Sequence, residues 1–265
     1  MAKALFERDD ESFLPTELSR SPWSPRAVHA GPPGALITRA FEALEGDRWW
    51  VVRLTLDIMG EIPMAPLRIE TSLERSGRSV QLLGGRAVSP GGETLLRAFA
   101  WRVRRAGPLP LPPPVDSPPA PPPAPQSLPA YERPVPHYTD FFGDGVDKRL
   151  FGGNVEGPGR AGMWFRLRVP LLPGETPTPL QTLVAVVDSA NGISAAVPWD
   201  EFVFPNTDLG VYLAREPQGE WIAVDAVTYL DPGGRGISDT ALFDTQGFVG
   251  RANQALFLDQ RNPSA

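Results

Sequence analysis

The chemistry available to this chain is narrow. It contains no cysteine, which excludes disulfides, thiolate nucleophiles and cysteine-ligated metals. His29 and His137 are its only histidines, so a zinc centre or a Ser-His-Asp triad lacks material, and neither metal nor cofactor is expected. What remains are acids, amides and hydroxyls. Asp188 stands out among them, because it falls in the last turn of an apolar helical segment, where a negative charge opposes the helix macrodipole. A helix built for stability alone would carry a cation there, and a local rule broken in this way points to function. The alternative is an exposed carboxylate bonded to the Asn191-Gly192 turn. Gln254 interrupts an apolar strand. Burying its amide unpaired would cost about 1–3 kcal/mol, so an inward Gln254 needs partners, while an outward one faces water. Alternation over so short a run leaves both readings open. Asn206 and Thr207 follow Phe202-Val-Phe-Pro205 and can hold a ligand, but Pro-Asn-Thr-Asp is also an ordinary turn sequence. His29 precedes a helix start at Gly31 to Gly34, whose free amides could bind a carbonyl or a phosphate, although Pro32 and Pro33 remove two donors.

These residues must be positioned by regular elements, and the pattern supplies them. A helix is predicted over Pro33–Leu44, with Leu36, Ile37, Ala40, Phe41 and Leu44 on one face. Strands follow at Trp49–Met59, Leu67–Arg75, Val80–Val88 and Thr94–Val103, most of them separated by glycine turns. The order then nearly recurs. A strand at Met163–Val169 precedes a helix at Pro179–Ala190, with Leu180, Leu183, Val184 and Val187 as its stripe and Asn191-Gly192 as its C-cap. Further strands are read at Leu209–Arg215, Trp221–Leu230, Ala241–Asp244 and Phe248–Leu258. The halves end alike, Arg97–Arg104 against Arg251–Leu258, and this alignment sets Ala100 opposite Gln254. A helix followed by long antiparallel strands, twice, indicates an α+β pseudo-dimer within one chain, the second sheet extending or facing the first.

Between the halves, fourteen of the 32 prolines fall from Gly107 to Pro136. Such a stretch forms neither helix nor ladder and is read as a semi-rigid polyproline II spacer. Three segments are therefore expected: residues 1–106, a linker over 107–137, and residues 138–265. A partner with an aromatic-lined groove could instead bind the proline-rich stretch. The net charge of −6 argues against nucleic acid as a partner. No apolar run reaches membrane-spanning length, and Met1–Phe13 has the composition of no signal peptide, so a cytoplasmic location is expected.

Several stretches resemble one family. Trp23-Ser-Pro-Arg-Ala-Val-His29-Ala-Gly-Pro-Pro-Gly34 is similar to the His-Gly-Gly opening of the first hotdog helix in TesB-like acyl-CoA thioesterases, with Ala30 where the family usually has the first glycine. Asp188, Asn206-Thr207-Asp208-Leu209, Arg215–Trp221 and Gly247–Leu256 resemble the same family in order and spacing. The resemblance implies a double hotdog fold, two helices each packed on a curved antiparallel sheet. It also implies hydrolysis of fatty acyl-CoA by a positioned water.

Carried over by position, the resemblance implies Asp188, Asn206 or its neighbour Thr207, and Gln254 as the catalytic set. It leaves His29, Gly31 and Gly34 as substrate contacts. A thioester carbonyl is already electrophilic, so an oriented water can suffice without a covalent intermediate. The competing readings are a non-catalytic acyl or acyl-CoA binding protein on the same fold, and a hydratase. Hydratase chemistry pairs aspartate with histidine, and the second half offers only His137. A homo-oligomer is expected, because hotdog sheets expose long edges.

Overall fold

The computed structural model describes residues 3–44, 46–133, 138–155 and 157–261; His137 and the end of the predicted linker lie outside them. In chain order, a hairpin of β1 (Phe6–Asp9) and β2 (Ser12–Pro15) precedes α1 (Gly31–Ala43). Then come β3 (Trp49–Ile58), β4 (Arg68–Arg75), β5 (Val80–Val88) and β6 (Thr94–Arg104). The second half contains β7 (Val146–Gly153), β8 (Ala161–Leu167), α2 (Pro179–Val187), a short α3 (Ala190–Ile193) and β9 (Phe202–Val203). It ends with β10 (Asp208–Leu213), β11 (Ile222–Asp231), β12 (Arg235–Asp244), β13 (Gly247–Phe257) and β14 (Asp259–Gln260).

Ten strands form one antiparallel sheet in the order β4-β5-β6-β3-β10-β13-β12-β11-β8-β7. The second half therefore extends the first sheet. β3 and β10 meet at the centre, with Leu56 opposite Leu209 and Leu54 opposite Val211. Outward from that seam, the four sheet strands that follow the helix in each half lie in the order first, fourth, third, second. The correspondence reaches further: β8 flanks β11, and Phe13 of β2 bridges Leu67 at the start of β4.

Both helices lie against the sheet and against each other. Every residue of α2 from Leu180 to Val187 is buried, as expected for a helix apolar all round. α1 buries Gly31 to Thr38 and Phe41, and its Arg39 side is half-buried. Leu36, Ile37, Leu183, Val184 and Val187 share one core with Leu54, Leu56, Leu83, Ala100, Leu209 and Val224. The helices run antiparallel, because the start of α1 meets the end of α2. They come unusually close there. A Cβ on Gly31 would lie 2.1 Å from the Ala185 carbonyl oxygen, and one on Gly34 would lie 2.6 Å from Leu56 Cδ1.

Three sequence expectations need correction. The predicted single helix at Pro179–Ala190 is two, α2 and α3, and Asn191-Gly192 does not end it as a C-cap. Gly192 keeps a negative φ and the chain turns on through α3, because the Asn191 N–H is claimed by a side chain from β13. The predicted strand Ala241–Asp244 begins six residues earlier, at Arg235, in a polar stretch that full pairing with β11 holds extended. The proline-rich stretch is more than a spacer. Leu109, Leu111 and Val115 are exposed, but further on the strap docks. Trp164 Nε1 donates to the Pro123 carbonyl at 2.9 Å, Pro125 is buried, and the Tyr131 N–H donates to the Lys148 carbonyl.

The close helix contact gives a stability test. In Gly31→Ala the added methyl would meet backbone, which no side-chain rotation relieves, so urea unfolding should show a loss of roughly 1–3 kcal/mol. Gly34→Ala, which meets the movable end of Leu56, should lose less. Equal midpoints for wild type and Gly31→Ala would show that the helices do not approach this closely.

Candidate active site

The antiparallel helix pair places the end of α2 at the start of α1. Asp188 caps α2. Its charge opposes the dipole of its own helix but sits at the positive end of the other. The Gly31 N–H donates to Asp188 Oδ2 at 3.1 Å. Pro32 and Pro33 have no N–H, and the Gly34 N–H donates to the Ala30 carbonyl. The amides of this helix start, expected to be free for substrate, are thus committed within the protein. Gly31 serves the carboxylate, and Gly34 lets α1 pack on β3.

His29, just upstream, brings Nδ1 to 3.0 Å from Asp188 Oδ2. With a proton on Nδ1 the imidazole donates to the carboxylate, and Nε2 is left for another partner. The histidine that meets Asp188 comes from the first half, not the second. His29 is 159 positions away in sequence, and only the helix pairing brings it in. Its ring packs 5.1 Å from Phe141. Phe141 belongs to a π-helical turn, Phe141–Gly145, a type of irregularity common at functional sites. Buried Asp140 holds the turn, accepting from Gly143 N–H at 2.6 Å and from both ends of the Arg133 guanidinium at 2.9 and 3.1 Å. Lys148 donates to the carbonyls of Phe142 and Gly143. Burial, and next the charges of Arg168 and Arg133, push the Lys148 ammonium down to about 8.

The second half completes the cluster. Asn206, just before β10, donates from Nδ2 to Asp188 Oδ1 at 2.8 Å and to the Asp208 carbonyl at 3.1 Å. Gln254 is buried on β13, between inward Ala252 and Leu256. Its Nε2 donates to the Asp188 carbonyl at 3.3 Å and lies 3.5 Å from Oδ1, while Oε1 accepts from the Asn191 N–H at 3.1 Å. Thr207 is exposed and its hydroxyl turns to the Ala255 carbonyl, away from Asp188. The structure therefore gathers Asp188, Asn206, Gln254, His29 and Gly31, and leaves Thr207 and Gly34 outside.

Burial pushes the Asp188 carboxyl up. The opposing charge of His29, then the hydrogen bonds from His29, Asn206 and Gly31, outweigh it and hold the group below its ordinary value. At the other end of the helix pair the balance reverses. Glu42 of α1 accepts from Gln181 Nε2 at 2.7 Å and from Thr178 Oγ at 2.9 Å, yet burial dominates and its carboxyl is raised.

A cavity of about 340 Å³ opens beside the cluster. His29, Asp188, Ser189, Asn191 and Gly192 line it together with Trp23, Trp199, Tyr131, Phe142 and Arg133, so its walls are largely apolar and aromatic. Tyr131 and Arg133 come from the end of the proline-rich strap. Sequence reading also missed Asn191, whose buried side chain donates to the Phe204 carbonyl at 3.1 Å. Among the described residues no group of acids and histidines could hold a metal, and no helix is long and apolar enough to cross a membrane.

The two helices on one long antiparallel sheet define a double hotdog, and solved structures share it. A conserved protein of unknown function with a hot dog fold from Alicyclobacillus acidocaldarius superposes with a TM-score of 0.70 at 16% identity, covering 97% of this chain and 96% of that one. An acyl-CoA thioesterase II from Mycobacterium marinum gives 0.66 at 19% identity, covering 98% and 95%. A tesB protein from Mycobacterium avium subs paratuberculosis gives 0.65 at 14% identity, covering 96% of each chain. Comparison with curated protein sequences finds no significant match. Family models are decisive: residues 19–103 match the acyl-CoA thioesterase N-terminal domain and residues 113–258 its C-terminal domain. This chain belongs to the acyl-CoA thioesterase family, and is a thioester hydrolase.

A carboxyl lowered on folding stabilises the fold above its ordinary value near pH 3.9, and that contribution is lost as pH falls through the folded value. The stability gap between wild type and Asp188→Asn should therefore be full at pH 6 and shrink below about pH 4. Denaturant unfolding at several pH values measures it. A gap that stays constant down to pH 3 would show that Asp188 is not held ionised by these partners.

Proposed function

We infer that this chain hydrolyses fatty acyl-CoA to the free acid and CoA through a water held beside Asp188, with residues 1–106 and 138–265 as its two hotdog units. One observation carries the reading: side chains from α1's approach, β13 and the segment before β10 converge on one buried carboxylate that opens on an apolar cavity. The water oxygen attacks the thioester carbonyl carbon and gives up a proton to the site. The C–S bond then breaks, and the departing CoA sulfur takes a proton. Asp188 accepts from the water, Gln254 and Asn206 orient the carboxylate, and the acyl group lies in the cavity. Of the two carboxylate oxygens, Oδ1 has accepting capacity to spare, because 3.5 Å is too long for a strong bond from Gln254. Asn206 rather than Thr207 takes the middle position, since its amide meets Asp188 and the Thr207 hydroxyl does not. A non-catalytic acyl-CoA binder would not need this buried acid, held in place with accepting capacity to spare.

A second reading of the base has its own support, the 3.0 Å approach of His29 Nδ1 to Asp188. There Asp188 orients the imidazole and Nε2 takes the proton from water, as in other carboxylate-histidine pairs. His29→Gln separates the two: with Asp188 as base the folded variant keeps most of its kcat, whereas with His29 as base it falls as far as Asp188→Asn.

Asp188→Asn should lower kcat on octanoyl-CoA by about 10²–10⁴-fold, with Asn206→Ala and Gln254→Ala intermediate and Thr207→Ala near wild type. Steady-state release of CoA thiol measures each. Full activity in a folded Asp188→Asn would refute both readings of the base.

A further inference from the structure

The cavity beside Asp188 is small for a fatty acyl site. About 340 Å³ lies at the low end of the roughly 300–1,000 Å³ of small-molecule pockets. An octanoyl chain fills much of that space, and a palmitoyl chain is about twice as long.

Its aromatic wall is a built feature. Trp23, from the loop before α1, and Trp199, from the loop after α3, both line the cavity, with ring centroids 4.1 Å apart and planes inclined at 31°. Each also meets Phe204 edge-on, at 5.0 and 4.9 Å. Phe204 is fully buried, and its carbonyl accepts from Asn191 Nδ2. The Asn191 N–H in turn donates to Gln254. The indole pair is thus keyed to the network that holds Asp188, through one buried ring and one asparagine. Trp199 also lies against Gly192, where a Cβ would sit 3.6 Å from the indole, so the wall follows the helix end that carries the acid.

We propose that Trp23 and Trp199 form a chain-length stop that restricts this thioesterase to compact, short- and medium-chain acyl groups. The proposal rests on reading the Asp188 cavity as the acyl site. Each methylene beyond the stop must displace an indole backed by Phe204 or stay in water, so selectivity falls steeply with length. Loss of the Trp199 ring should open a continuous path past Gly192.

The test compares octanoyl-CoA with palmitoyl-CoA. Wild type should favour octanoyl-CoA in kcat/KM by about tenfold or more. Trp199→Ala should shrink that ratio at least fivefold by raising palmitoyl-CoA turnover, while Trp199→Phe, which keeps a ring against Phe204, should keep most of it. Thermal melts confirm folding, and Trp23→Leu is read the same way if Trp199→Ala does not fold. A wild type that prefers palmitoyl-CoA, or an unchanged ratio in a folded variant, overturns the stop. Failure of the hydrolytic reading looks different: neither thioester is turned over, and calorimetric binding of the two still ranks them, supporting the stop if octanoyl-CoA binds tighter and overturning it if not.

Discussion

Asp188 on the first turn of α1 is the contact on which the rest of this structure depends. A carboxylate at the C-terminus of its own helix is unfavourable, yet the antiparallel partner offers a positive helix end and the Gly31 N–H at 3.1 Å. The close approach needs a residue without a side chain at 31, since a Cβ there would collide with the Ala185 carbonyl. It also needs the two prolines that follow, because their missing N–H groups leave no unpaired donors to bury. Helix packing, acid placement and ionisation state are thus one arrangement.

The two halves differ where their helices meet. Both halves place a carboxylate where one helix ends on the other, Asp188 and Glu42. Asp188 has an imidazole and a strand glutamine beside it, whereas Glu42 has Gln181 and the Thr178 hydroxyl. The alignment of the two halves in sequence sets Ala100, on β6, opposite Gln254, so β6 brings no amide to that position. The two acids are pushed in opposite directions by their surroundings, down for Asp188 and up for Glu42. Such divergence between paired carboxyls is how a fold separates chemical roles.

Much of the site's frame can be read without coordinates. Val80–Val88 is a strand at the predicted bounds, and both helices lie where their apolar stripes put them. Asp188 stands out through a charge against a dipole and Gln254 as an amide among apolar neighbours, whereas Asn206 reads locally as part of an ordinary turn. Other features were not legible. β1, β2 and β7 are short or polar and have no strong alternation, and partners distant in sequence hold them. Nothing local marks the strap residues Tyr131 and Arg133 as cavity walls, because their position follows from bonds to the Lys148 carbonyl and the Asp140 carboxylate.

What the sequence alone determined is the set of possible chemistries and the order of the elements. The absence of cysteine, the two histidines, the period of each apolar stripe and the proline-rich joint follow from residue type and local geometry. Tertiary structure decided which of the candidates meet. His29 and Asp188 are 159 positions apart, and Thr207 and Asn206 are neighbours, yet the distant pair touches and the adjacent one divides. Backbone periodicity turns successive side chains to opposite faces, and helix packing brings remote ends together. Neither effect has a signature in any single stretch of the chain.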